Sequence, residues 1–254
     1  MGKIIGISGR KQAGKNTVAN ILHGIVLKEQ ALIEDWNIGK NGQLLILTSD
    51  SDGVTAWGEF DVSRKDDAFI EYAELHMWPF VKLYSFADSL KWICTELFDI
   101  PYECVWGTNN QKNKIQNHLL WENMPGIEIT NSYILNKNGP MTSREFMQYF
   151  GTNVMRKIYE PIWINSCINK IKKEGPELAI IADVRFPNEI KELKRAGGIA
   201  LRLTRNIFND NHECESALDA DNFDWTNFDH IIDNKEMSID ALCNHVKDNK
   251  EIWS

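Results

Sequence analysis

The stretch Met1–Val18, MGKIIGISGRKQAGKNTV, reads as a strand, a tight loop and the start of a helix. Ile4, Ile5 and Ile7 form the short apolar run of a buried parallel strand, while Val18, Ile21, Leu22 and Ile25 recur at the i, i+3, i+4, i+7 spacing of one helix face. Between them Gly9 to Lys15 spells G-x-x-x-x-G-K, the phosphate-cradling P-loop, with the strand before and helix after that give the match its meaning. The residue types suit the task. Glycines let successive backbone N–H groups converge on one point, the helix adds its positive N-terminal end, and Lys15 brings a movable charge to β- and γ-phosphates. Gly9, Lys11, Ala13, Gly14, Lys15, Asn16 and Thr17 are therefore the candidate ATP-binding residues. Asn16 stands where the hydroxyl that binds Mg²⁺ is usual, which leaves the metal to Thr17 or to phosphates and water.

Composition narrows what such a loop serves. A chain of 254 residues suits one large α/β domain or two small ones with a sizeable core. With 28 Lys and Arg against 36 Asp and Glu, the net charge is −8, which excludes broad nucleic-acid binding but not a small anion in a local positive pocket. Five cysteines, an odd number without a CxxC pair, point to a reduced, cytoplasmic protein. The chain opens on its first strand, so no signal peptide is expected, and no apolar run reaches membrane-spanning length.

Working outward, the P-loop helix is expected to end between Lys28 and Ala31. Residues 36–62 then break the α/β rhythm. Gln43–Thr48 and Val54–Phe60 read as two strands joined by the turn Asp50-Ser51-Asp52-Gly53, a β-hairpin insertion rather than a calcium loop, since the EF-hand pattern is incomplete. A helix over Ala68–Met77 ends before Pro79. The strand Phe80–Phe86 leads into a helix whose first turn carries Lys91, at the sheet edge where open α/β folds bind ligands, a position equally suited to a solvated lysine. Pro101–Gln111 reads as a loop, and the stretch from Trp121 to Pro140 as irregular, with a hairpin around Ile127–Leu135.

Thr142-Ser143-Arg144-Glu145 is a capping box that starts another helix. On it Arg144, Gln148, Gly151 and Thr152 fall at i, i+4, i+7 and i+8, a polar face suited to a planar base or a phosphate and equally to solvent. Trp163 lies on the next helix. Leu178–Asp183 is a third strand ending in an acid placed to meet Mg²⁺, its water or an acceptor hydroxyl, and Arg185 follows where it could stabilise a transferring phosphoryl group. Ile199–Thr204 and His230–Asp233 supply two more strands, and Ser238 caps a closing helix. His212 and Cys214 lack the second pair of ligands that a zinc site needs.

The ordered motifs GRKQAGKNT, SFADSLK, MTSREFMQYFGTNVMR, ADVRFPNE, HECESAL and FDHIIDN resemble those of the phage deoxynucleoside monophosphate kinases over most of the chain. Asn16 resembles that family's own variation after the P-loop lysine, whereas Cys214 stands where the family often has serine. The resemblance implies that Lys11, Lys15 and Thr17 touch phosphates, with Lys15, Asp183 and Arg185 catalytic. It also implies that Arg144, Gln148, Gly151, Thr152 and Trp163 line the acceptor site and that Glu189 completes the reaction centre close to the substrate; by position Lys91 joins the substrate-binding candidates, and by residue type Thr17 and Asp183 are the candidate Mg²⁺ ligands.

The expectation is a single α/β domain with the P-loop NTPase fold: a parallel sheet of about five strands, flanked by helices, with the hairpin inserted. ATP and a deoxynucleoside monophosphate are the expected partners, without a nucleic-acid polymer or membrane, and a monomer or a homodimer is left open. A kinase of another small molecule would share the P-loop and Asp183. A GTPase-like switch would need N-K-x-D, and Asn234-Lys235-Glu236-Met237 fails at its last position.

Overall fold

A computed structural model describes residues 2–49, 52–64, 66–127, 138–206 and 216–254. Their strands in chain order are β1 (Lys3–Ser8), β2 (Asp35–Ile38), β3 (Leu44–Ser49), β4 (Thr55–Phe60), β5 (Val81–Tyr84), β6 (Ile115–Leu120), β7 (Pro140–Thr142), β8 (Leu178–Val184), β9 (Ile199–Leu203) and β10 (His230–Ile232). The apolar run of β1 places it at the centre of a parallel sheet ordered β10-β9-β1-β8-β5, with Ile5 paired to Ile180 on one side and to Ile199 on the other. Strands enclosed on both faces need continuous hydrophobic sequence, and Ile5, Ile7, Ile180, Ile181 and Leu201 are all fully buried. Parallel pairing sends the carboxyl ends of all five strands to one edge, and the sheet is wound outward from β1, the place where such folds bind ligands.

Helices flank this sheet. The first, Lys15–Glu29, is α1, and it buries Val18, Ile21, Leu22 and Ile25 as their spacing predicts. The expected hairpin is β3 and β4, with Leu44 opposite Phe60 and Ser49 opposite Thr55. A third antiparallel strand, β2, extends it; D-W-N-I is too short to display alternation in the sequence. Trp36, Ile38 and Leu44 are buried in the same core cluster as α1, so the inserted sheet shares the main core.

The contacts divide the chain into two compact units, residues 1–86 with 167–254, and residues 87–166. The second has its own core of Cys94, Ile100, Val105, Leu119, Trp121, Met141, Phe146 and Tyr149. The stretch expected to be a loop holds two short helices, Tyr102–Trp106 and Asn109–Lys112, the latter closed by a capping box between Thr108 and Gln111. Elements of one turn escape periodicity, which needs a window of about eleven residues. The strand β6 pairs with β7, where Pro140 sits at the strand's first position, as a residue without an N–H must. The hairpin expected around Ile127–Leu135 lies almost wholly outside the described residues, as do Asp50, Ser51, His212, Cys214 and Glu215. The Thr142 capping box opens an α-helix, Ser143–Gln148, which then widens into π-helical turns over Tyr149–Met155. Among the described residues no helix is long and apolar enough to cross a membrane.

Candidate functional site

At the carboxyl end of β1 the chain turns through the loop Gly9–Gly14 into α1. Ala13 N–H closes the turn onto the Arg10 carbonyl at 3.0 Å, and Gly14 takes φ +100°, a conformation that favours glycine. Gly14 gives α1 no side-chain cap, so the positive end of the helix faces the loop. Lys15 folds back over it, its ammonium donating to the carbonyls of Gly9 (2.6 Å) and Arg10 (2.9 Å).

The loop opens on a cavity of about 760 Å³. Of the residues singled out in the sequence, Lys11, Gly14, Lys15, Asn16, Thr17, Asp183 and Arg185 line it together. Gly9 and Ala13 are buried. Lys40 and Arg205 add two further cations, so five basic side chains surround one carboxylate in a chain of net charge −8. Such a pocket suits a polyanion.

Asp183 is aimed by the neighbouring strand end: Ser85 Oγ donates to its Oδ2 at 2.6 Å and Phe86 N–H to its Oδ1 at 3.2 Å. Glu189 is buried, and its Oε2 accepts the backbone N–H groups of Arg185 (2.7 Å) and Phe186 (3.1 Å). That carboxylate fixes the turn from which Arg185 projects and closes the start of the helix Pro187–Arg195.

Two supports were not foreseen. Asn234, fully buried, donates its amide to Ala13 O at 2.8 Å and accepts from Arg205 N–H at 2.9 Å, tying the P-loop to the ends of β9 and β10. The guanidinium of Arg205 donates to the carbonyls of Asn234 (3.0 Å) and Met237 (2.6 Å). On the loop's other side Arg10 pairs with Asp219, which also accepts from Arg202 at 2.9 Å; Arg202 in turn donates to Ser8 Oγ at 2.9 Å. No local pattern marks Arg202 or Asp219, and Asn234 shows only as the first residue of the incomplete N-K-x-D.

The remaining predicted residues lie in residues 87–166, where Lys91 and Arg144 join Lys112 in a second cationic cluster. The Lys112 ammonium is held below its usual range, first by burial and then by the charges of Lys91 and Arg144. Lys91 Nζ stands 4.4 Å from the centre of the Trp106 ring. The Arg144 fork is oriented by two side-chain carbonyls, Asn113 on Nε at 2.9 Å and Asn109 on Nη2 at 2.7 Å. Gln148 and Thr152 are exposed on the same helical run. Gly151 departs from this face: it is buried, and a Cβ there would stand 2.8 Å from Leu90 Cδ2. The spacing assumed 3.6 residues per turn, which the π-helical segment breaks. Trp163 is buried as well, its indole N–H donating to Gly151 O at 3.1 Å.

Asp183 and Thr17 offer the oxygen donors that Mg²⁺ prefers. Among the described residues no three His, Cys, Asp or Glu side chains gather to hold a metal by themselves, so an ion here would keep water and phosphate ligands. The four described cysteines are buried and free, and burial pushes the Cys94 thiol up to about 12, away from nucleophilic use.

Comparison with known proteins agrees with this chemistry. A region of 151 residues is 27% identical to an Acanthamoeba polyphaga mimivirus protein provisionally named a deoxynucleotide monophosphate kinase, covering 53% of this chain and 67% of that one. A shorter region of 50 residues is 40% identical to the deoxynucleoside-5′-monophosphate kinase of Escherichia phage T5, covering 19% of this chain and 20% of that enzyme. The family model for deoxynucleotide monophosphate kinase matches residues 85–246, well over half of the sequence, and the chain therefore belongs to the deoxynucleotide monophosphate kinase family.

Proposed function

We propose that the protein transfers the γ-phosphoryl group of ATP to the phosphate of a deoxynucleoside monophosphate, giving ADP and the deoxynucleoside diphosphate. The observation that carries this reading is the cavity under the P-loop, where Lys11, Lys15, Arg185 and Arg205 surround Asp183. An acceptor phosphate oxygen forms the new bond to Pγ as the bond from Pγ to the β,γ-bridging oxygen breaks, and that oxygen leaves with ADP. The attacking oxygen is already ionised at neutral pH, so no general base is needed, and the protein's work is alignment and charge neutralisation.

The residue roles follow from charge and placement. Lys15, already held at the mouth of the loop, exchanges its carbonyl contacts for the β- and γ-phosphates, with Lys11 and the loop N–H groups beside it. Arg185 neutralises charge developing on the transferring group. Bound Mg²⁺ would add further neutralisation of the triphosphate, with Asp183 orienting its water and Thr17 within the same pocket. In the second unit, Lys91, Lys112 and Arg144 are the anion-binding set for the monophosphate, and the exposed Gln148 and Thr152 are placed to read its base or sugar. Glu189 holds the turn that carries Arg185, and within the second unit Trp163 holds the backbone of Gly151.

The test is a panel of deoxy- and ribonucleoside monophosphates with ATP and Mg²⁺. ATP consumption is expected to be slow alone and to rise sharply with an accepted monophosphate, forming ADP and diphosphate in equal amounts. If no monophosphate stimulates turnover, the acceptor assignment is wrong; if hydrolysis is equally fast without one, the kinase reading falls.

A further inference from the structure

The inserted sheet reaches the phosphate cavity. Its β2–β3 turn is closed by its own hydrogen bonds: Gly39 N–H to Gln43 O and Gly42 N–H to Gly39 O, both 2.9 Å, and Asn41 N–H to Gln43 Oε1 at 3.0 Å. The turn is then seated on the beginning of α1. Asn20 Nδ2 donates to Gly42 O at 2.8 Å, and Gly42, at φ +80°, lies so close that a Cβ there would stand 2.4 Å from Thr17 Oγ1. Thr17 and Asn20 are one helical turn apart, so two contacts fix the turn against the first residues after the P-loop.

The base of the insertion is fixed as well. Trp36 lies flat against Gly24 of α1, where an added Cβ would come within 2.4 Å of the indole, and Lys247 covers the ring at 4.1 Å from its centre. Held at both ends against α1, the insertion delivers Lys40, at the tip of the turn, into the lining of the same cavity as Lys11 and Lys15. Lys40 is exposed, so its ammonium can reach a ligand without first losing a buried partner.

We propose that Lys40 is a donor-phosphate-binding residue, and that the inserted sheet serves to carry this cation to the triphosphate. Asn16 offers no hydroxyl to a metal, and a lysine from outside the loop adds neutralising charge beside it. The inference rests on the donor-site reading above and goes beyond it by assigning the insertion a role.

Calorimetric titration of ATP into wild type, Lys40→Ala, Lys40→Arg and Lys40→Glu tests it, with Lys15→Ala as the control for the P-loop. Lys40→Ala is expected to weaken ATP roughly three- to tenfold, as loss of one exposed charge-assisted contact does. Lys40→Arg should recover most of the affinity and Lys40→Glu should lose more than alanine, with melting temperatures unchanged because the side chain is exposed. If Lys40→Ala binds ATP like wild type while Lys15→Ala does not, Lys40 is overturned and the donor reading stands. An equal loss in Lys40→Arg and Lys40→Ala also overturns it, since charge would then not be the cause. If wild type itself does not bind ATP, the donor reading and this inference fall together.

Discussion

His23 makes the stability of the P-loop helix sensitive to pH. It is fully buried on α1, with Nδ1 at 2.8 Å from Ala19 O and Nε2 without a hydrogen-bond partner among the described residues. Burial disfavours the imidazolium and outweighs the Ala19 contact, lowering the pKa from 6.5 to about 4. The folded state therefore holds a neutral ring, while the unfolded chain takes up a proton near pH 6.5. Between those values unfolding binds a proton, so acidification removes stability; above pH 6.5 the contribution is complete, and below about 4 both states are protonated. One proton taken up on unfolding costs about 1.36 kcal/mol for each pH unit of acidification, so the loss is about 2 kcal/mol by pH 5 and about 3 kcal/mol in full.

Urea unfolding followed by fluorescence of the nine tryptophans at several pH values between 7.5 and 4.5 measures this, with His23→Leu as the comparison. Any packing penalty of leucine is the same at every pH and drops out of the slope. Paired carboxylates also lose stability in acid, and they do so in both proteins, so the difference between the two curves isolates His23. The variant is expected to gain about 2 kcal/mol relative to wild type on going from pH 7.5 to pH 5. Parallel curves over that range would refute the reasoning, because they would mean that the buried ring is not what titrates.

Two further substitutions probe the two proposed ligand-binding regions. Asn234→Ala strips the buried Ala13 carbonyl and Arg205 N–H of their amide partner, which should cost about 1–3 kcal/mol in stability and raise KM for ATP more than KM for the monophosphate, as melting and steady-state kinetics would show. Arg144→Ala should weaken monophosphate binding roughly tenfold or more with little change for ATP; an equal loss for both ligands in calorimetry would show that the arginine fork is not an acceptor contact.

The sheet was legible because its evidence is local. The run I-I-G-I and the run L-A-I-I-A are each interpretable from their own residues, and enclosure on both faces leaves such runs no other stable place. Thr142 with Glu145 was legible for the same reason, since both halves of that cap lie within four residues. The π-helical turns at Tyr149–Met155 were not. The contacts that accompany them are tertiary: Gly151 packs against Leu90, and its carbonyl accepts a hydrogen bond from the Trp163 indole N–H, neither of which is visible in a 3.6-residue period.

The candidate site divides along the same line. Seven of the candidate phosphate-binding residues are contiguous or nearly so, from Gly9 to Thr17, and a single motif names them. Asn234 is separated from its partner Ala13 by 221 residues, and the sequence presents it only as the start of a failed guanine-reading motif. Parallel topology brings the two together by ending β1 and β10 on one edge, and Asn234 then serves the P-loop from beneath rather than reading a base. Lys40 is a similar case. Its nearness to Lys15 depends on Trp36 meeting a glycine on α1 and on Gly42 admitting Thr17, so the relevant information is the absence of two side chains. Replacing Gly42 by alanine should therefore weaken ATP binding in calorimetry with every P-loop residue unsubstituted, because a Cβ there meets Thr17 Oγ1 and forces the turn that carries Lys40 and the start of α1 apart; unchanged affinity would refute the argument.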